Sequence, residues 1–248
     1  MAKKRKSSNS EFAGGKQVIK ALTKISEAVT SDLYLEDILK LIVTVTAQVL
    51  GSKICSLLLI NKTGNRLEVK ATQSVSEAYN KKPNIKLGEG IAGRVAKTGV
   101  PITVSDVCKD LRYINRTIAK REELCSLLCV PLAVKGRIIG VLNSYTSRPH
   151  NFTKSEIDVL KSIASQAAIV IENFRLVVES KVIKEELESR KAIERAKGIL
   201  MKQSGLSEEN AYNRIRKYSM DNRKTMREVS EAIILSEAMT CGAKRRKS

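Results

Sequence analysis

The sequence predicts an α+β protein in which an antiparallel sheet with flanking helices is followed by a long helix and an all-α bundle of three helices. Two observations carry this prediction. Strand-like segments form two hairpin pairs on either side of a variable middle, and helical spacing lies outside them. After residue 153, helical spacing then continues without proline or glycine until Gly198, which is too long for an ordinary globular helix.

The first elements follow one another as an arm, a helix and a hairpin. Residues 1–15 are basic and polar and predict a disordered arm. Apolar residues at helical spacing then predict a helix that ends at Gly51. A strand over Ile54–Ile60, a turn and a second strand from Leu67 predict a hairpin.

The middle of the chain is predicted to hold a loop, a short helix and the second hairpin. Residues 74–86 are polar and predict a loop, and a glycine turn then leads into a short helix over 91–97 that ends at Gly99. Strands over 124–134 and 137–145 are separated by two residues and predict the second hairpin.

A long helix is predicted over 154–200. It begins at a capping box in which Thr153 is the N-cap and Glu156 follows three residues on. A helix of this length is typical of a connecting coiled coil or a signalling helix, and it predicts a homodimer. The alternative is two shorter helices with a break near residue 180.

Two more short helices follow, each with its own start signal. One begins after Ser207, a hydroxyl cap, and the other begins at a capping box formed by Thr225 and Glu228. Together with the end of the long helix, they predict a three-helix bundle over 184–240, before a basic tail at 241–248.

The composition is strongly basic. Among 248 residues, 45 lysines and arginines stand against 26 aspartates and glutamates, which gives a formal net charge of +19. Such an excess favours a polyanionic partner, either nucleic acid or an anionic membrane face. We expect no membrane span, because no apolar run reaches 18 residues.

Scarce residue types limit the chemistry. His150 is the only histidine, so a zinc site with two imidazoles is excluded. The five cysteines are odd in number and lack C-x-x-C spacing, which predicts reduced thiols in a cytoplasmic protein. Cys125 and Cys129 are expected on one strand, about 13 Å apart, as core thiols. No nucleophile–base pair or metal cluster can be assembled, so we expect no enzyme, no metal and no cofactor.

The segment GEGIAGRVAKTGVP at 88–101 resembles the central motif of GAF domains, and VPL at 130–132 and GVL at 140–142 resemble the strands that follow it. The resemblance covers about 20–178, within a first domain predicted over 16–178. It implies a small-molecule sensor built on an antiparallel sheet with helices on one face. The literal G-x-G-x-x-G does not indicate a dinucleotide site, because no apolar strand precedes it and no βαβ unit surrounds it.

The GAF resemblance implies a ligand pocket, although it does not fix the ligand. The candidate pocket residues at matching positions are Gly90, Gly93, Arg94 and Asn143. GAF domains that bind cyclic nucleotides carry an Asn-Lys pair and an Asp-Glu pair. Asn143-Ser144 and Glu156-Ile157 stand at the comparable positions, so the lysine and the acidic pair are missing and a cyclic nucleotide is disfavoured. A bilin is disfavoured because no cysteine lies next to a histidine.

The segment RKAIERAKGILM at 190–201 resembles the signature of ANTAR domains, and segments at 209–212, 221–224 and 229–233 resemble the rest of that pattern in order. The match runs from about 184 to 238. It implies a three-helix module that binds paired RNA hairpins in nascent transcripts and so prevents a terminator from forming.

The charge of this segment agrees with RNA binding, since residues 181–248 hold 17 lysines and arginines against 10 aspartates and glutamates. Cations would neutralise phosphates, Asn222 and Arg223 would reach base edges in an unpaired loop, and a tyrosine would stack on a base. The candidate RNA-binding residues are Arg190, Lys197, Arg214, Lys217, Tyr218, Asn222, Arg223, Lys224 and Arg227. Ala196 and Gly198 are expected to serve close helix packing instead.

A sequence-specific DNA-binding transcription factor with a small-molecule sensor domain is the alternative, because a basic three-helix module can also enter a major groove. The last helix would then present Arg227, Glu228 and Glu231 to DNA, and two acids that face phosphates are unfavourable. The favoured hypothesis is therefore a homodimeric RNA-binding regulator under the control of an unidentified small molecule.

Overall fold

The computed structural model describes Thr23 and residues 34–74, 76–80 and 83–245. The predicted basic arm, the helical spacing before residue 34 and the last three residues of the predicted tail lie outside the described residues. The chain divides into two compact units, Met1–Arg175 and Leu176–Ser248.

The described elements confirm an α+β fold. The helices are α1 (Leu35–Leu50), α2 (Glu77–Asn80), α3 (Gly90–Thr98), α4 (Arg116–Arg121), α5 (Lys154–Ser204), α6 (Glu208–Asp221) and α7 (Met226–Arg245). The strands are β1 (Ile54–Ile60), β2 (Arg66–Thr72), β3 (Ile85–Lys86), β4 (Ile102–Val104), β5 (Leu127–Val134) and β6 (Arg137–Tyr145). The predicted loop at 74–86 therefore contains α2 and β3.

The six strands form one antiparallel sheet in the order β3-β2-β1-β6-β5-β4. Pairing of β1 with β6 joins the two hairpins and places Ser56 opposite Asn143. The predicted bounds of β1 and β6 are confirmed. In contrast, β5 begins at Leu127 and not at Leu124, because the backbone N–H of Leu124 donates to the carbonyl oxygen of Ala119 in α4.

Both faces of the sheet are buried. One core contains Leu57 and Leu142 together with residues of α1 and of the start of α5. The other contains the neighbouring residues Leu58 and Val141 together with residues of α3. This alternation is the period of two of β-strands, and burial on both sides explains the continuous apolar sequence of β1. The expectation of helices on one face only is therefore wrong.

The helix α5 is continuous over 51 residues, so the alternative of a break near residue 180 is wrong. Its capping box is confirmed, because the backbone N–H of Thr153 donates to Glu156 Oε2 at 2.7 Å and the backbone N–H of Glu156 donates to Thr153 Oγ1 at 3.3 Å. These reciprocal bonds satisfy two N–H groups at the start of the helix.

The second unit is a bundle of α6 and α7 with the end of α5. Its core is formed by Ala196, Ile215 and Val229, one from each helix. The predicted start signals of both short helices are present, since Ser207 Oγ accepts the N–H of Asn210 and the second capping box forms in full. The helix α7 continues to Arg245, so residues 241–245 are helical and not a tail. Among the described residues, no helix is long and apolar enough to span a membrane.

Candidate nucleic-acid interface and ligand pocket

Basic side chains of α6 lie outside the core of the second unit. Ala211, Ile215 and Ser219 are buried at every fourth position, so this side of α6 faces the bundle. Arg214 and Lys217 lie on the remaining sides of the helix and are exposed. The amphipathic pattern of α6 therefore presents its cations to solvent.

The loop between α6 and α7 is short and closed by hydrogen bonds. Asn222 Nδ2 donates to the carbonyl oxygen of Tyr218 at 2.9 Å. Ser219 Oγ donates to the carbonyl oxygen of Lys224 at 2.6 Å, and the N–H of Lys224 donates back to the carbonyl oxygen of Ser219 at 3.0 Å. Arg223 has a φ of +53°, a left-handed conformation that is uncommon for a residue other than glycine. The loop thus fixes the backbone while the side chains of Arg223 and Lys224 stay exposed.

These side chains form what we call the α6–α7 basic surface. Its members are Arg214, Arg216, Lys217, Tyr218, Arg223 and Lys224, all of them exposed. None of the five cations forms an ion pair with another residue in the described part of the chain. Between residues 212 and 224, Asp221 is the one acidic residue. Lys224 has a further acidic neighbour in Glu228, whose pKa is lowered by hydrogen bonds from Thr225 and by the charge of Lys224. Like charges along one short segment repel one another, and a bound polyanion relieves that repulsion.

Lys197 was predicted to contact RNA, but it belongs to the bundle. Its side chain is 9% exposed, and its Nζ lies 2.9 Å from Glu194 Oε1 and 2.7 Å from Glu208 Oε1. Hydrogen bonds with Glu194 and Glu208 raise the pKa of Lys197, and the same ammonium lowers the pKa of Glu208. The bridge joins the end of α5 to the start of α6, so we remove Lys197 from the RNA-binding set.

Arg227 is also engaged within the bundle. Its Nε lies 2.7 Å from Glu231 Oε1, and its Nη2 lies 3.6 Å from Glu188 Oε2. Arg190 is exposed, but it lies on α5 and outside the α6–α7 basic surface. Of the nine predicted residues, five belong to this surface, Lys197 and Arg227 have ion-pair partners in the bundle, and Asn222 closes the loop.

The exposed start of α7 is acidic. Glu228 and Glu231 are both exposed. Hydrogen bonds from the backbone and the hydroxyl of Thr225 lower the pKa of Glu228, so its carboxylate is ionised at neutral pH. Since Arg227 is paired with Glu231, the first two turns of α7 offer no free cation.

The first unit contains a cavity next to the sheet and α3. Its polar lining consists of Ser56, Tyr113, Asn115, Asn143 and Tyr145. Leucine, isoleucine and valine side chains, with Pro83 and Ala92, form the remaining walls. The cavity volume is about 20 Å³, which is little more than one ordered water molecule needs.

The cavity has a polar edge, and no charged side chain stands among the described residues that line it. Asn143 is 3% exposed, and its Nδ2 donates to Ser56 Oγ at 3.5 Å. Its Oδ1 has no hydrogen-bond partner in the described structure. Burial raises the pKa of Tyr145 well above its ordinary value and that of Tyr113 to about 12. Both phenols therefore stay protonated and neutral at physiological pH.

Of the four residues predicted for the pocket, Asn143 alone lines it. A Cβ atom on Gly90 would lie 3.4 Å from Ile114, which is itself a lining residue. Arg94 is exposed on α3 and does not line the cavity. Gly93 serves packing between α3 and β3, because a Cβ atom there would lie 2.3 Å from the carbonyl oxygen of Lys86.

Sequence reasoning missed Ser56, Tyr113 and Tyr145. No local motif marks them, because the β1–β6 pairing brings Ser56 to Asn143 across the sheet. The expectation for Gly198 was also wrong, since a Cβ atom there would meet nothing within 4 Å. Ala196 is fully buried and confirms the packing role expected of it.

The described cysteines are free thiols. Burial raises the pKa of Cys55 to about 12, which leaves this thiol unreactive, and it also raises the pKa of the fully buried Cys129. Cys125 lies before the start of β5 and is half-buried, so its predicted place on one strand with Cys129 is wrong. No group of three or more His, Cys, Asp or Glu side chains in the described ranges could hold a metal ion.

The geometry defines a two-domain chain in which a sheet with a polar cavity precedes a basic three-helix domain. A family model described as GAF domain matches residues 33–172, and one described as ANTAR domain matches residues 182–234. The first match covers more than half of the chain. The chain therefore belongs to the GAF domain family, and it carries an ANTAR domain after the GAF domain.

Several relatives are regulatory proteins. The chain is 31% identical over 103 residues to the transcriptional regulatory protein PdtaR of Mycobacterium tuberculosis, a match that covers 42% of this chain and 48% of that protein. It is 40% identical over 57 residues to the nitrate regulatory protein of Klebsiella oxytoca, with 23% and 14% covered. It is 28% identical over 123 residues to the Nif-specific regulatory protein of Azospirillum brasilense, with 47% and 20% covered. The chain thus spans less than half the length of each of these relatives.

Solved structures resemble the first unit. The GAF domain of a phosphoenolpyruvate-protein phosphotransferase from Coxiella burnetii superposes with a TM-score of 0.59 at 26% identity, covering 66% of this chain and 98% of that one. The nlh2 GAF domain of A. aeolicus gives a TM-score of 0.54 at 22% identity, covering 64% and 98%. The second likeness shows the fold alone.

Proposed function

We propose that this chain is a signal-responsive RNA-binding regulator that prevents transcription termination by binding hairpins in nascent mRNA. Its GAF domain senses a small molecule and controls the ANTAR domain. The observation that carries the proposal is the α6–α7 basic surface, on which five exposed cations form no ion pair within 4 Å among the described residues. The relatives named as regulatory proteins support the same function, and such a regulator would act in the cytoplasm, where it meets nascent transcripts.

The basic surface offers three kinds of RNA contact. Arg214, Lys217 and Lys224 neutralise phosphates, which fixes the RNA backbone without reading its sequence. Tyr218 is 57% exposed and provides a ring on which an unpaired base can stack. Arg223 is presented by a fixed loop and reaches the edges of bases that are splayed out of a hairpin loop. This combination suits a hairpin with an unpaired loop better than a uniform duplex.

Binding in a DNA major groove fits the structure less well. A recognition helix contacts base edges through its N-terminal residues, and the start of α7 presents Glu228 and Glu231 there. Its nearest cation, Arg227, is held by Glu231 and Glu188. Carboxylates that approach phosphates add repulsion, so we assign recognition to α6 and the following loop.

The exposed apolar residues in the middle of α5 suit pairing with the same helix of a second copy of this chain. Leu176, Ile183 and Leu187 are between 49% and 64% exposed. Their spacing of seven and four residues is that of the d and a positions of a coiled coil. A dimer would carry two ANTAR domains, and two linked domains bind a two-hairpin RNA more tightly through effective concentration.

Charge reversal on the basic surface tests the proposal. The double variant Arg214→Glu/Lys217→Glu should abolish binding to a two-hairpin RNA in fluorescence anisotropy. The matched control Lys40→Glu/Lys62→Glu changes the net charge equally at exposed positions of the GAF domain and should bind as the unchanged protein does. Equal losses in both double variants would show that overall charge, and not this surface, drives binding.

A further inference from the structure

The exposed apolar residues of α5 have charged neighbours on both sides. Leu176, Ile183 and Leu187, which we call the α5 stripe, occupy the d, d and a positions of consecutive heptads. In the same heptads, the g positions hold glutamate and the e positions hold lysine. These flanking residues, all of them exposed, are Glu179 and Glu186 at g, and Lys184 and Lys191 at e. One border of the α5 stripe is therefore acidic and the other is basic.

The three-helix bundle lies against a different side of α5. Glu188 of α5 approaches α7, because its Oε2 lies 3.6 Å from Arg227 Nη2. Successive residues of a helix are rotated by about 100°, so Glu188 lies about 100–140° around α5 from each member of the α5 stripe. Each member of the stripe is at least 49% exposed. Within the described part of the chain, the α5 stripe is therefore open to a partner other than the bundle.

The charges on the two borders suit one orientation of a second helix. In a parallel coiled coil in register, each g residue faces the e residue of the next heptad on the other helix. Glu179 then faces Lys184 of the second copy, and Glu186 faces Lys191 of the second copy. In an antiparallel pair, g faces g and e faces e, so glutamate would oppose glutamate and lysine would oppose lysine. Since like charges repel and opposite charges attract, the borders favour the parallel pair.

We propose that the α5 stripe binds the same stripe of a second copy of this chain as a parallel, in-register coiled coil, and that the four flanking charges determine this orientation. The inference rests on the proposed function, since it specifies how the two copies of the RNA-binding regulator pair. A parallel pair brings both Leu187 residues, and the ANTAR domains that follow them in the chain, to the same end of the coiled coil. Two RNA-binding domains at one end can bind neighbouring hairpins of one transcript.

Charge reversal on each border tests the orientation in the full chain. The g variant is Glu179→Lys/Glu186→Lys, and the e variant is Lys184→Glu/Lys191→Glu. In a parallel dimer, each variant turns every opposite-charge contact between the borders into a like-charge contact. Each should therefore raise the dimer Kd by about tenfold or more in sedimentation at low salt. The quadruple variant, which carries all four substitutions, restores opposite charges at every contact and should dimerise as the unchanged protein does.

The variants also control for overall charge. The unchanged chain has a formal net charge of +19. The g variant raises this charge and the e variant lowers it, so overall repulsion alone would weaken one dimer and strengthen the other. The quadruple variant leaves the net charge unchanged. At 1 M salt, where charges are screened beyond about 3 Å, the differences in dimer Kd should shrink. Circular dichroism checks that each variant keeps its helices, and if one border variant does not fold, the other border variant and the quadruple variant decide the question.

The outcomes separate this inference from the proposed function. In an antiparallel dimer, the g variant exchanges one set of like-charge contacts for another and would dimerise as the unchanged protein does. That result, a quadruple variant that dimerises no more tightly than the border variants, or a monomeric unchanged protein would each overturn the inference. Intact binding of a single RNA hairpin in such a case would leave the proposed function standing. A parallel dimer that binds a two-hairpin RNA and a duplex DNA equally well would instead contradict the proposed function alone.

Discussion

Replacement of Arg223 tests whether this residue lowers the stability of the loop between α6 and α7 and at the same time contributes to RNA binding. The residue has a φ of +53°, and the left-handed conformation costs a non-glycine residue about 1–2 kcal/mol. Glycine avoids this cost but loses about 0.5–1 kcal/mol in backbone entropy. We therefore expect the C-terminal domain of Arg223→Gly to be more stable than that of Arg223→Ala by about 0.5–1 kcal/mol.

RNA affinity should depend on the guanidinium group of Arg223 and not on which residue replaces it. Loss of one arginine contact to a base edge weakens binding by about 1–3 kcal/mol and leaves the salt slope nearly unchanged. Both Arg223 variants remove the same guanidinium, so both should show this loss. Urea unfolding measures the stability difference, and anisotropy at several salt concentrations measures the affinity.

Two results would refute this reasoning. If the glycine and alanine variants were equally stable, the left-handed backbone would not be strained. If either variant bound RNA as tightly as the unchanged protein, Arg223 would not contact RNA, and its exposed position would need another explanation.

Three further predictions concern helix packing, the ion pair between Lys197 and Glu208, and the dimer. Gly93→Ala should destabilise the GAF domain by about 1–3 kcal/mol, because a Cβ atom would meet a backbone carbonyl at 2.3 Å. Gly198→Ala has open space and should stabilise the C-terminal domain by about 0.5–1 kcal/mol. Thermal unfolding that finds Gly198→Ala more destabilising than Gly93→Ala would contradict this assignment of packing roles. Lys197→Met should lower the stability of the C-terminal domain and should reduce its decline in acid, while the contribution of Glu228 to that decline remains. The lowered pKa of Glu208 means that its ion pair with Lys197 stabilises the domain above the ordinary glutamate pKa and is lost as pH falls through the lowered one. Unfolding curves of both proteins between pH 3 and 7 check this. Ile183→Glu/Leu187→Glu should be monomeric in sedimentation and should lose affinity for a two-hairpin RNA but not for a single hairpin, and an intact dimer would show that another surface pairs the chains.

Local signals in the sequence predicted several element boundaries. The capping boxes at Thr153 and Thr225 consist of residues three positions apart, so their hydrogen bonds form within one helical turn and do not depend on tertiary contacts. The bounds of β1 and β6 followed from apolar runs closed by turns. These features need no knowledge of distant contacts.

Features that depend on distant contacts were missed or misassigned. Lys197 lies in a basic segment of α5, and the sequence does not show that it bonds to Glu208, eleven residues further along the chain. Ser56 carries no motif, and its place beside Asn143 depends on a strand pairing between residues 87 positions apart. The burial of the sheet on both faces likewise becomes visible only when α1 and α3 are placed on opposite sides.

The central claim is that the α6–α7 basic surface selects RNA hairpins. The most direct measurement is fluorescence anisotropy of the full chain with a two-hairpin RNA and with a duplex DNA of equal charge, each at several salt concentrations. We expect tight binding to the RNA that persists at 0.2 M salt and weak, steeply salt-dependent binding to the DNA. Equal and equally salt-dependent binding to both would contradict the claim, because the surface would then be a non-specific site for polyanions.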